Sequence, residues 1–190
     1  MGRLWGAAGS LLLLATAGCA AQPSQARPAP SASPAALRLT TIRDCPPLAG
    51  PDREPGPDDP VIQPGTKQTG LGYQRFCVYG NPVTVSVTID VYVVANTGPY
   101  LDVPKSVREA KSYGHFAVPV SGAGDRALAI ADGKDSDGPR PLVLTMIAAG
   151  NVELSIQSHV TGAVRGDADL RAHAPELAAL GAELIRGLGP

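Results

Sequence analysis

The stretch PVTVSVTIDVYVVA, residues 82–95, decides the fold. Val83, Val85, Val87, Ile89, Val91 and Val93 share one parity, and Thr84, Ser86, Thr88 and Asp90 share the other. Strict alternation of β-branched and polar residues is the pattern of a strand with one face buried and one face wet. Tyr92 and Val94 interrupt the polar face near its end, which predicts that something covers the sheet there.

Outward from that strand, the chain reads as sheet with few helices. Upstream, Leu71–Val78 is a second strand, and Gly80-Asn81-Pro82 makes the pair a hairpin. Cys77 therefore falls near the end of a strand. Downstream, Val103–Tyr113 predicts a short helix, capped by Asp102 and carrying Pro104 in its first turn. Phe116–Val120 is a short edge strand, and Gly122-Ala123-Gly124 permits a turn with positive φ that feeds a strand over Ala127–Ala131. Asp132–Pro141 is a turn-rich loop. Leu142–Ala148 and Val152–Val160 form a second hairpin through Ala149-Gly150-Asn151. In its second strand Val152, Leu154 and Ile156 face one way, and Glu153, Ser155, Gln157 and His159 the other.

Near the C-terminus Leu170, Ala174, Leu177, Leu180, Gly181, Leu184 and Leu188 recur at helical spacing. Pro175 marks a break or a first turn, so the main helix is expected from Pro175 to Leu188. Glu176 near its start and Arg186 near its end suit the helix dipole. The expected class is α+β: a mainly antiparallel β-sheet of about five to six strands with the C-terminal helix packed on one face.

The chain has 190 residues, which fits one folded domain, and a formal net charge of −1. A near-neutral balance without a basic stripe argues against nucleic acid as a partner. It also supplies no polybasic attraction to anionic lipid. The N-terminus, MGRLWGAAGSLLLLATAGCAA, places Arg3 before an apolar run and small residues before Cys19. That order is the layout of a secretory signal. Thr16-Ala17-Gly18-Cys19 resembles the lipobox of bacterial lipoproteins, with Thr16 where lipoboxes favour Leu. The resemblance implies cleavage before Cys19, a diacylglyceryl group on its sulfur, and a place on the outer face of the cell membrane. Two acyl chains suffice for stable anchoring, at about 0.8 kcal/mol per buried CH₂. The competing readings are plain secretion and an uncleaved signal anchor, since the apolar stretch Leu4–Ala21 sits at the lower edge of a membrane-spanning length.

Residues 20–36, AAQPSQARPAPSASPAA, carry one charge, Arg27, and too little apolar surface to offset the entropy of folding. The expected organisation is a signal peptide over 1–18, a lipidated Cys19 and tether over 19–37, and one extracytoplasmic domain over 38–190. With Cys19 lipidated, Cys45 and Cys77 remain as an even pair in an exported chain, which predicts a disulfide. Neither lies in a C-x-x-C pattern or near a histidine, so redox or metal use is disfavoured. The segment Pro46–Gly70 is rich in proline and acids and reads as an irregular surface excursion.

Three groups of residues are candidates for chemistry. Asp132, Asp135, Asp137 and Gly138 hint at a calcium loop, but an EF-type register places Gly133 and Leu144 where acids are required, so a solvated loop is expected. His159 has Glu153 and Gln157 on the same strand parity, yet the chain has no G-x-S-x-G or H-E-x-x-H, so a solvent-facing histidine is expected. Tyr92, Tyr100 and Tyr113 flank one strand end and the next helix, where they are candidates for a ligand pocket or partner surface; core packing is the other reading. No catalytic residue, metal or cofactor is implied.

The lipobox, the Cys45…Cys77 pair, the Gly-Ala-Gly-Asp-Arg-Ala turn at 122–127 and the closing helix stand in one order. Together they resemble small actinobacterial lipoproteins that share a domain of unknown function. More loosely they are similar to the extracellular sensor domains of mycobacterial serine/threonine kinases. The resemblance implies a compact α+β domain outside the cell with an unassigned ligand or partner, and the expected role is binding of an envelope ligand or protein. An envelope hydrolase with an unfamiliar site and a structural accessory subunit are the alternatives.

Overall fold

A computed structural model describes residues 37–50, 65–80 and 83–189. All of them belong to one compact unit. In chain order the elements are β1 (Lys67–Gln68), β2 (Gly72–Tyr79), β3 (Val85–Tyr92), α1 (Val103–Ser112), β4 (Phe116–Pro119), β5 (Arg126–Ala131), β6 (Leu142–Ala149), β7 (Val152–His159) and α2 (Asp167–Gly187). The seven strands form one sheet in the order β1-β2-β3-β7-β6-β5-β4. Every pairing is antiparallel. The class is α+β, as expected, with one strand more than the sequence suggested. The extra strand is β1, whose two exposed residues carry no periodicity to read.

The alternation in β3 holds residue by residue, with inward positions buried and outward positions half-buried. Its hairpin partner is β2, and the turn residues 81–82 lie outside the described set. The other neighbour of β3 is β7, which joins the two hairpins into one sheet. One transverse row shows the register: Cys77, Val87, Ile156, Thr145, Ala129 and Val118 lie opposite one another in turn. Each is at most 1% exposed.

That inner face has two covers. Leu39, Ile42 and Leu48 of the N-terminal segment join its core, and so do Leu170, Leu177, Leu180 and Leu184 of α2. The helix comes close because small residues let it. A Cβ on Gly181 would lie 2.1 Å from Ile147 Cδ1 and 3.2 Å from the Cβ of Ala123. The opposing positions of β5 are all alanine: Ala127, Ala129 and Ala131. The Gly122 and Gly124 turn has the positive φ values expected of it, 89° and 65°. It is tied to the β6–β7 turn, where Asp125 N donates to Ala148 O at 2.8 Å and Gly150 N donates to Asp125 Oδ2 at 2.7 Å.

α1 matches its expected form, with Asp102 accepting from Lys105 N at 3.0 Å and Pro104 in the first turn. α2 does not. It begins eight residues earlier than expected, at Asp167, and passes through Pro175 without ending. Two features carry it past the proline. Leu170 is fully buried and pins the first turns to the core, and Asp167 and Asp169 stand at the positive end of the dipole. The proline ring leaves the Arg171 carbonyl without its helical donor, but both residues are exposed, so water can serve instead. Asp167 also accepts from Ala117 N at 3.2 Å and pairs with Lys111, and the Lys111 bond chiefly holds its carboxyl below the usual range.

The cover expected over Tyr92 and Val94 at the end of β3 is only partial: Tyr92 is half-buried and Val94 is exposed. Val93 and Val94 are 44% and 45% exposed, because the chain leaves the sheet after Tyr92, where both amides bond to Leu71 O. Cys45 and Cys77 form the expected disulfide, with Cα atoms 5.7 Å apart. Cys19, the signal segment, the tether up to residue 36 and residues 51–64 of the excursion lie outside the described residues. No described helix is long and apolar enough to cross a membrane.

Candidate functional site

The three tyrosines do not make a shared pocket wall. Tyr92 is half-buried on the outer sheet face and borders a shallow cavity with Thr69, Leu71, Tyr73 and Asp90. Tyr100 and Tyr113 are 78% and 77% exposed, so neither packs in the core. The loop Asp132–Pro141 is largely exposed, as expected, apart from Ser136 and Pro141, which are buried. Asp132 accepts from Lys134 N at 2.8 Å, and Asp137 lies 3.4 Å from the Arg165 side chain. Among the described residues no group of three or more acids, histidines or cysteines is placed to hold a metal ion.

Around Tyr92 the outer face is acidic. The Tyr92 hydroxyl donates to Glu153 Oε2 at 3.3 Å, and Gln74 Nε2 donates to Asp90 Oδ1 at 2.8 Å. Asp90 and Glu153 lie directly opposite on β3 and β7, a like-charge pair that costs stability. Burial pushes the Glu153 carboxyl up, the Tyr92 hydrogen bond offsets part of this, and Asp90 adds to it. Burial and the two carboxylates push Tyr92 up to about 12. A carboxyl raised on folding contributes stability that is present below its unfolded pKa and lost as pH rises through the folded value. Glu153→Gln is therefore expected to be more stable relative to the parent at about pH 7 than at about pH 4. Urea unfolding at both pH values checks it, and an equal difference at the two would refute it.

The better-built site lies where β7 ends beneath α2. A cavity of about 220 Å³ is bordered by Thr84, Val85, Arg140, Ser158, His159, Thr161, Glu176, Leu177 and Leu180. Ser158 is on the buried parity of β7, only 5% exposed, and its hydroxyl has no hydrogen-bond partner. A buried unpaired hydroxyl costs about 1–3 kcal/mol unless something satisfies it. His159 is exposed, as expected, with Gln157 two residues away on the same strand face, but Glu153 is not beside it. Glu153 is six residues away along the strand, about 20 Å at strand rise, and is engaged by Tyr92. Instead His159 Nδ1 is 2.9 Å from Arg140 O. A carbonyl only accepts, so Nδ1 carries the proton and a neutral ring leaves Nε2 as an acceptor.

Successive strand residues point to opposite faces, so Ser158 turns inward and His159 outward. Ser158 has no hydrogen bond to any base, and nucleophilic catalysis requires one. Arg140 has no ion pair among the described residues, and Glu176 has one weak neighbour, His173 Nδ1 at 3.8 Å. Opposite charges thus flank the cavity without meeting. Ser158, Arg140 and Glu176 were not legible as a set. They come from a strand, a loop and a helix, and only the register of β6 with β7 and the packing of α2 bring them together. No protein-family model, characterised protein or solved structure matches the chain.

Proposed function

We propose that this chain is a lipid-anchored extracytoplasmic binding protein. The reading joins the lipobox-like Thr16–Cys19 and the tether to a disulfide-closed domain that holds a small polar cavity. The observation that carries the binding half is the buried, unpartnered Ser158 hydroxyl on the wall of that cavity. Retention of such a group at a cost to stability is understandable where a ligand completes its hydrogen bonding. The disulfide supports the extracytoplasmic location, because disulfides persist in oxidising compartments outside the cytoplasm.

Cys19 then serves placement and Cys45–Cys77 serves stability. Metabolic labelling with radioactive palmitate in a bacterial host tests the anchor. The parent chain is expected to take up label and sediment with membranes, and Cys19→Ser to do neither. An unlabelled parent, or an equally labelled Cys19→Ser, would remove the anchor from the reading.

A further inference from the structure

We propose that the cavity between β7 and α2 takes a small zwitterion of the free amino-acid type. The inference rests on the binding reading above and assigns its ligand class. Size sets the first bound. Pockets for drug-sized ligands run to about 300–1,000 Å³, and this one holds about 220 Å³. Charge sets the second. Arg140 and Glu176 border the same space but form no ion pair with each other. A single-sign ligand would satisfy one and be repelled by the other. A molecule with a carboxylate and an ammonium on adjoining atoms satisfies both, the carboxylate taking the planar two-pronged guanidinium. Chemistry at the wall sets the third. The Ser158 hydroxyl can accept from the ammonium or donate to the carboxylate, and Val85, Leu177 and Leu180 offer an apolar wall for a short side chain.

Isothermal titration of the full chain, purified in mild detergent, tests this. The zwitterionic probes are L-alanine, D-alanine and L-serine, since nothing in the wall selects a hand. The blocked probes are N-acetyl-alanine, which lacks the ammonium, and alanine amide, which lacks the carboxylate. Inorganic phosphate and glucose represent other small polar ligands. At least one zwitterion is expected to bind saturably, with each blocked form weaker by about tenfold or more, the loss of one charge-assisted contact. Arg140→Gln and Glu176→Gln are each expected to weaken the zwitterion by about tenfold. Both side chains are exposed, so an unchanged unfolding midpoint will show that the fold is kept. Ser158→Ala, which leaves both charges in place, is expected to weaken it less. Blocked probes binding as well as the zwitterion would overturn the proposal, as would binding unaffected by the Arg140 and Glu176 variants. Binding of phosphate or glucose alone would overturn the ligand class and leave the binding reading standing. If none of these probes binds, both fall.

Discussion

The double variant Cys45→Ala/Cys77→Ala is expected to lose about 3–4 kcal/mol of unfolding free energy, the chain-entropy value for a loop of this size. The bridged residues are 32 apart in sequence. The bridge also does local work that the loop length does not express. Cys77 is fully buried on the inner face of β2, and Cys45 belongs to the segment that places Leu39, Ile42 and Leu48 over that face. The Tyr79 hydroxyl donates to Pro46 O at 2.7 Å, next to the bridge, and burial pushes that hydroxyl's pKa up. The variant is therefore expected to loosen residues 37–50 first. Urea unfolding of the parent with and without reductant, beside the variant, measures the loss. Equal midpoints with and without reductant would show that the bridge contributes nothing.

Asn151→Ala is expected to cost about 2–4 kcal/mol, because it strips partners from several backbone groups at once. The Asn151 side chain accepts from Leu39 N at 2.9 Å and donates to Leu39 O and Tyr92 O, both at 2.8 Å. Its own amide donates to Leu37 O at 3.2 Å, and Tyr92 N donates to its carbonyl at 2.9 Å. One residue in a hairpin turn thus clamps the N-terminal segment to the sheet and closes the end of β3. Gly150 beside it has φ of 57°, and a Cβ there would lie 1.8 Å from Leu37 O, so the segment passes directly over the turn. Amide exchange checks the prediction: protection at Leu39 is expected to fall in Asn151→Ala further than protection in β6. The clamp and the disulfide hold the same segment, so their losses should not add. A strictly additive triple variant would mean that the two act on different parts of the molecule.

Where a residue's fate depends on its near neighbours, the sequence was enough. The β3 strand, both hairpins, the Asp102 cap and the positive φ of Gly122 and Gly124 follow from period, turn chemistry and capping, all of which act within a few residues. The even cysteine pair was legible for a different reason, since compartment rather than geometry argued for the bridge. Reading failed where distant contacts outweigh local preference. Pro175 looked like a helix boundary, yet Leu170 and the Asp167 contacts hold the turns before it in place. Tyr92 and Val94 pointed to a cover, yet Tyr92 is only half-buried and the chain turns away and leaves Val94 in solvent. β1 had no pattern at all, being two exposed residues that pair with β2.

The alternation in residues 82–95 by itself determined that β3 has one buried and one wetter face, because side-chain direction in a strand is set by the backbone and repeats every two residues; that Leu101 and Val103 cover the outer face farther along, over Leu128, Met146 and Ala148, it did not show. What that strand pairs with, and what lies over its buried face, was decided only in three dimensions. The pairing of β3 with β7 and the approach of α2, through Gly181, to Ile147 and Ala123 are contacts between residues far apart in the chain. Those contacts made the cavity, and they set Arg140, Ser158 and Glu176 around it. Period is a local property and can be read along a chain; convergence on a site is a property of packing and cannot.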